Sequence, residues 1–220
     1  MLGKFINHCE DSLTAAVFTH LLHLPSEVFW QILRNACYSH SLPEHAGEPL
    51  NVEFRPTWDG DGTGNASRVI PDLFICFGAF DLIVEAKRWD NEKQDPGQWK
   101  NEVTAYGNEY GNEKQVRMLA IGGIRGSSDE QVPGAIRCPV HMCKWKRLLD
   151  ECMRLQTELK GLKFPSSQTH ACVRTLGDLI NLFACHGFST GQWLADLEFD
   201  RYRLSSSTMS CIDLFPRYRR

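Results

Sequence analysis

The segment 68–89, RVIPDLFICFGAFDLIVEAKRW, limits what this chain can fold into more than any other. Residues 69–77 and 80–86 are mostly Val, Ile, Leu and Phe, and Gly78-Ala79 lies between them as a turn. Two apolar runs joined in this way read as a β-hairpin. Strand side chains alternate between faces. Leu73, Ile75, Phe77, Phe80, Leu82, Val84 and Ala86 therefore share one wholly apolar face. Other elements must cover it, so the hairpin is expected at the centre of a core.

The opposite face carries Asp72, Glu85 and Lys87, all at the end remote from the turn. If the hairpin turns symmetrically about Gly78-Ala79, Asp72 lies directly opposite Glu85, with β-carbons ~5 Å apart. Two carboxylates that close repel, and one pKa rises unless a cation sits between them. The pair suits a hard divalent cation such as Mg²⁺ (or Mn²⁺), which accepts a few oxygens and keeps several waters. A lysine one step along the same face can hold or deprotonate a water and neutralise developing negative charge. Together these groups are equipment for hydrolysing a phosphodiester. The plainer reading is an exposed salt bridge on an edge strand.

The rest of the chain supplies partners for the hairpin. Helical spacing predicts helices over 12–24 and 27–38, broken at Pro25-Ser26. A strand is expected in 49–58, then the loop DGDGTGNAS at 59–67, then the hairpin. Asp95 is a good N-cap, Pro96 fits the first helical position, and Trp99, Val103, Tyr106 and Tyr110 form a helical stripe after it. VRMLAIGGI (116–124) reads as a buried strand, and two helices follow at about 143–160 and 173–186. This order predicts an α/β domain with a mixed central β-sheet flanked by helices on both faces. A single domain is expected over 1–220, with its core at about 10–125 and a helical C-terminal extension over about 140–220.

Bulk properties exclude several classes. Hydrophobic residues make up 42% and charged residues 23%, ordinary for a globular chain. No apolar run approaches the ~20 residues that span a bilayer, so no membrane role is expected. The opening MLGKFINHCEDSLTAAVF lacks a basic region followed by a clean apolar stretch, so no signal peptide is read there. Nine scattered cysteines without CxxC pairs suit reduced thiols in a cytoplasmic protein. Cys138, His141, Cys143 and Cys152 are the nearest approach to zinc spacing, but no second ligand pair follows. A net charge of −3 argues mildly against coating nucleic acid, and leaves room for a local basic groove.

Pro71-Asp72 followed by Glu85-Ala86-Lys87 resembles the PD-(D/E)XK nuclease superfamily. The likeness covers roughly residues 10–125 and includes the order helix, three-strand meander, helix, strand. It implies a restriction-endonuclease-like core in which Asp72 and Glu85 ligate Mg²⁺, the Ala86 carbonyl adds an oxygen, and Lys87 positions or activates the attacking water. It also implies products with a 5′-phosphate and a 3′-hydroxyl. DNA is the expected substrate over RNA, and the small chain resembles restriction, phage-defence or mobile-element endonucleases. Cutting both strands needs two active sites, which a homodimer would supply.

Supporting residues carry two readings each. Glu10 is similar to an acidic residue that many members carry on the first helix, and it is equally a charge suited to a helix start. Gln98 resembles a glutamine on the helix after E-x-K, yet Asp95-x-x-Gln98 is also a capping-box pattern. Tyr106 lies on the apolar stripe and reads as core. Lys144, Arg147 and Arg154 form either a solvated helix surface or a phosphate-contacting face. The Arg-rich end RYRR either adds to that face or is a frayed tail. The 59–67 loop lacks the twelfth-position glutamate of a calcium loop and the Lys-Ser/Thr of a phosphate loop. It is expected to be a mobile hairpin tip able to touch DNA. The rival to a nuclease is a catalytically silent nuclease-like module for nucleic-acid binding or assembly.

Overall fold

The computed structural model describes residues 10–64, 67–89, 92–124 and 126–190, residue 10 by its backbone alone. The described residues up to 189 make up one compact unit. The C-terminal end, including RYRR, lies outside the described residues.

Two helices, α1 (Glu10–Leu22) and α2 (Ser26–Ala36), precede β1 (Asn51–Phe54), β2 (Trp58–Asp59), β3 (Arg68–Val69), β4 (Leu73–Cys76) and β5 (Phe80–Ala86). Then come α3 (Pro96–Tyr110), β6 (Gln115–Ile121), β7 (Glu130–Gln131), β8 (Pro139–Cys143), α4 (Trp145–Lys160) and α5 (Ser167–Cys185). Six strands form a mixed sheet in the order β1-β4-β5-β6-β8-β7. The β1, β4 and β5 strands pair antiparallel, β5, β6 and β8 run parallel, and β7 is antiparallel to β8.

The hairpin keeps the register expected from a symmetric turn: Leu73 pairs with Val84 and Ile75 with Leu82. Its apolar face packs with Phe18, Trp30, Leu33, Leu148 and Phe183, which come from α1, α2, α4 and α5. The other face is buried too. Phe74 and Ile83 pack against Trp99, Val103 and Tyr106 of α3, with Trp58 of the small β2–β3 sheet. Helices thus flank the sheet on both faces, and the hairpin sits inside it with β1 as the edge.

Three features depart from the sequence reading. The first hairpin arm starts at Leu73, because Pro71 has no N–H to continue a ladder; Arg68–Val69 pairs instead with Trp58–Asp59. The second is β8, buried along most of its length, which adds a parallel strand beside β6. Residues 139–143 show no polar–apolar alternation because both of their faces are covered. Third, the helices after 143 are half of the core, since α4 and α5 pack on the sheet directly. They are not an extension of a core ending near 125.

Candidate active site

The parallel strands β5 and β6 end side by side, with Ala86 paired to Ile121. Several contacts fix the backbone just beyond them. The Lys87 N–H donates to the Ile121 carbonyl at 2.7 Å, and the Lys87 carbonyl accepts from Trp145 Nε1 at 2.9 Å. Gln94 Nε2 reaches the carbonyls of Glu85, Ile121 and Gly122 at 3.3, 3.2 and 3.1 Å. Its Oε1 accepts from Trp99 Nε1 at 3.0 Å, which ties the strand ends to α3. Gly122 has φ +69°, and a β-carbon there would stand 2.0 Å from the Lys87 carbonyl oxygen. Only glycine fits this approach.

The charged residues of the hairpin meet at this place. Asp72 directly precedes β4, and continuing the register by one step sets it opposite Glu85. Its Oδ2 accepts from the Ala86 N–H at 2.8 Å, so the Asp72 carboxylate is held against the Glu85-Ala86-Lys87 backbone. Lys87 Nζ donates to Glu85 Oε1 at 2.5 Å. Glu85 is 2% exposed and the Lys87 side chain 18%, so this is no solvated surface pair. On the far side of Pro71-Asp72, the Asp72 carbonyl accepts from Arg55 N–H at 3.1 Å, and the Arg55 guanidinium pairs with Asp11 near the start of α1. Arg55 has a left-handed φ of 52°, the conformation that turns the chain from β1 towards β2.

A third carboxyl group arrives from α3. Glu102 is 1% exposed, and its Oε1 accepts from Gln98 Nε2 at 3.1 Å. Its buried Oε2 has no conventional hydrogen-bond donor among the described residues. Burial first, and then the neighbouring Glu85 charge, push the Glu102 carboxyl well above the usual carboxylate range, with Asp72 adding to the push. Sequence reasoning missed Glu102. The signal was there: a glutamate three residues after Trp99 and four before Tyr106 lies on the stripe that faces the sheet.

Gln98 does not close a capping box. Asp95 caps α3 alone by accepting from the Gly97 N–H at 2.8 Å, and Gln98 turns inward to Glu102. A groove of about 650 Å³ runs from solvent past Gln98 and Glu102, walled on its other side by Gly62, Gly64 and Ile70. The described part of the 59–67 loop is hydrogen-bonded to α3. Asn108 Nδ2 donates to the carbonyls of Asp59 and Asp61 at 3.0 and 2.9 Å, and Asn101 accepts from the Gly64 N–H at 3.1 Å.

The remaining candidates lie elsewhere or outside the description. Glu10 begins α1, and its side chain is outside the described residues. Lys144 is the N-cap residue of α4. Arg147 is structural: Nε donates to the Ala36 carbonyl at 2.7 Å, Nη2 to Cys37 at 3.2 Å, and the guanidinium lies over Tyr38. It satisfies carbonyls that α2 leaves open at its C-terminal end. Arg154 pairs with Glu151 and Glu158 along α4. Tyr106 is core, as its stripe predicts, and its hydroxyl donates to the buried Asp81 at 2.8 Å. Cys138 packs on one face of the sheet while Cys143 and Cys152 pack on the other, so the zinc spacing does not converge.

Among the described residues, no three His, Cys, Asp or Glu side chains stand as a preformed metal-ligand cluster. Asp72 is engaged by a backbone N–H and Glu85 by an ammonium. The donor set nonetheless fits a hard divalent cation: three carboxyl groups and the Ala86 carbonyl are all oxygen donors. The donorless Glu102 oxygen is the group such a cation would satisfy.

Comparison with known proteins adds little to this geometry. No family model matches the chain. It is 31% identical over 126 residues to an uncharacterized protein of Pasteurella multocida (strain Pm70). The match covers 56% of this chain and 46% of that protein, so the chain spans about half the length of this relative. No solved structure matches.

Proposed function

We propose that this chain is a Mg²⁺- or Mn²⁺-dependent nuclease with a PD-(D/E)XK-type core, cutting DNA as a restriction, phage-defence or mobile-element endonuclease. One observation carries the reading: Asp72, Glu85 and Lys87, 15 residues apart at their extremes, converge at the buried end of β5 beside Gln98 and Glu102. Asp72, Glu85 and the Ala86 carbonyl would hold the cation, with Glu102 as a further oxygen donor. The cation would supply positive charge to the scissile phosphate. Lys87 then does the work nearest the water. Released from Glu85, its ammonium orients the attacking oxygen and offsets the negative charge that grows on the phosphate. Gln98 holds Glu102, and through it the orientation of Glu85. The groove beside α3 admits the substrate strand, and a homodimer would cut both strands of a duplex.

Purified protein should nick supercoiled plasmid or degrade single-stranded DNA in Mg²⁺ or Mn²⁺ and not in EDTA. Glu85→Ala and Lys87→Ala should each lower the rate by at least about 10²-fold, the scale of removing one electrostatic participant. Cutting that survives EDTA or both substitutions contradicts the assignment.

The closed Lys87–Glu85 pair supports a second reading, in which the ammonium permanently replaces the cation and the chain is a silent module for nucleic-acid binding or assembly. That reading predicts DNA binding without cleavage and no response to divalent cations.

A further inference from the structure

A second cluster of polar side chains sits where β6 and β8 begin, at the opposite end of the parallel strands from Glu85. A pocket of about 410 Å³ there is lined by Ser41, Gln115, Arg117, Asp129, Arg137 and His141. The volume is within the ~300–1,000 Å³ range of small-molecule sites.

The hydrogen-bond directions define what the pocket offers. Arg117 Nη1 lies 3.4 Å from His141 Nε2, and a guanidinium can only donate. His141 Nε2 is therefore the acceptor, and the imidazole hydrogen is on Nδ1. It faces Ser41 Oγ at 2.8 Å and Asp129 Oδ2 at 3.2 Å. Asp129 also accepts from the hydroxyls of Ser39 and Ser41, so its carboxylate is fully engaged on that side. Ser41 and Asp129 both approach the same imidazole nitrogen, so this is no nucleophile–base relay, which needs them on opposite nitrogens.

The cationic side is not balanced in the same way. Arg117 Nε is buried without a hydrogen-bond partner among the described residues. No carboxylate of those residues pairs with Arg117 or with Arg137, which shares the pocket wall. Burial, and less strongly the nearby Arg137 charge, oppose the charge on Arg117. Two guanidinium groups line one cleft whose carboxylate, Asp129, is taken up by Ser39, Ser41 and His141; an anion stabilises such an arrangement, and the planar forks match phosphate oxygens.

We propose that this pocket binds a phosphomonoester group, held between Arg117 and Arg137 with Gln115 as a further donor. The inference stands independently of the nuclease reading, since it uses other residues at another end of the sheet. The test is calorimetric titration of the full chain with inorganic phosphate and with adenosine 5′-monophosphate, in EDTA at constant ionic strength. Saturable binding of one phosphate per chain is expected. Arg137→Ala, a change at an exposed position, should weaken it about tenfold, the scale of one charge-assisted contact, and Arg117→Ala should abolish it. Glu85→Ala should leave it unchanged. No saturable binding by the wild type, equal binding by Arg137→Ala, or loss in Glu85→Ala would each overturn the proposal. Arg137→Ala decides the matter alone if Arg117→Ala does not fold.

Discussion

Glu85 and Glu102 are two buried acids, Lys87 donates to Glu85, and one oxygen of Glu102 has no donor among the described residues. A buried acceptor without a donor costs about 1–3 kcal/mol. Glu102→Gln replaces that oxygen with an amide able to donate to Glu85. In EDTA at pH 7 it should therefore raise stability by about 1 kcal/mol in chemical denaturation. A loss of stability would mean that Glu102 is not held against Glu85. The sequence shows Asp72, Glu85 and Lys87 because strand alternation and a symmetric turn need only local counting. Glu102 and Gln94 act through a helix-to-sheet contact, and the position of that helix depends on packing that no local pattern contains.

The ends of β5 and β6 form the frame of the candidate site, and two features set it. Gln94 bridges the two strand ends, and Gly122 lets the chain turn against the Lys87 carbonyl. Gly122→Ala forces a β-carbon into that oxygen in a left-handed conformation. It should destabilise by at least about 2 kcal/mol, given ~1–3 kcal/mol for a strained backbone before any clash. Thermal unfolding measures this, and an unchanged midpoint would show that the strand ends can part freely. The hairpin, α3 and its Asp95 cap are legible in the sequence because each carries its own period or cap. By contrast, β8 is not, since a strand buried on both faces looks like any short apolar run. The split of residues 49–69 into β1, β2 and β3 was hidden for another reason: it rests on Pro71 and on the left-handed turn at Arg55.

At the scale of the molecule, the hairpin lies between two cores, one made with α1, α2, α4 and α5 and the other with α3. Leu119 and Ile121 of β6 pack with Leu148, Leu176 and Phe183 from beyond residue 125. A chain ending at 125 would lose α4, α5 and β8, and with them about half the cover of one face of the sheet. It should fail to show a cooperative thermal transition, whereas a well-folded 1–125 fragment would contradict this architecture. The same two-sided burial explains why Asp72, Glu85 and Lys87 are only partly open to solvent. The most direct measurement is a Mn²⁺ binding isotherm, read as free Mn²⁺ by electron paramagnetic resonance, because it needs no knowledge of the DNA sequence recognised. Saturable binding by the wild type that is lost in Asp72→Asn and Glu85→Ala is the predicted result. If the wild type binds no Mn²⁺, the Lys87–Glu85 pair is only an ion pair and the nuclease reading fails.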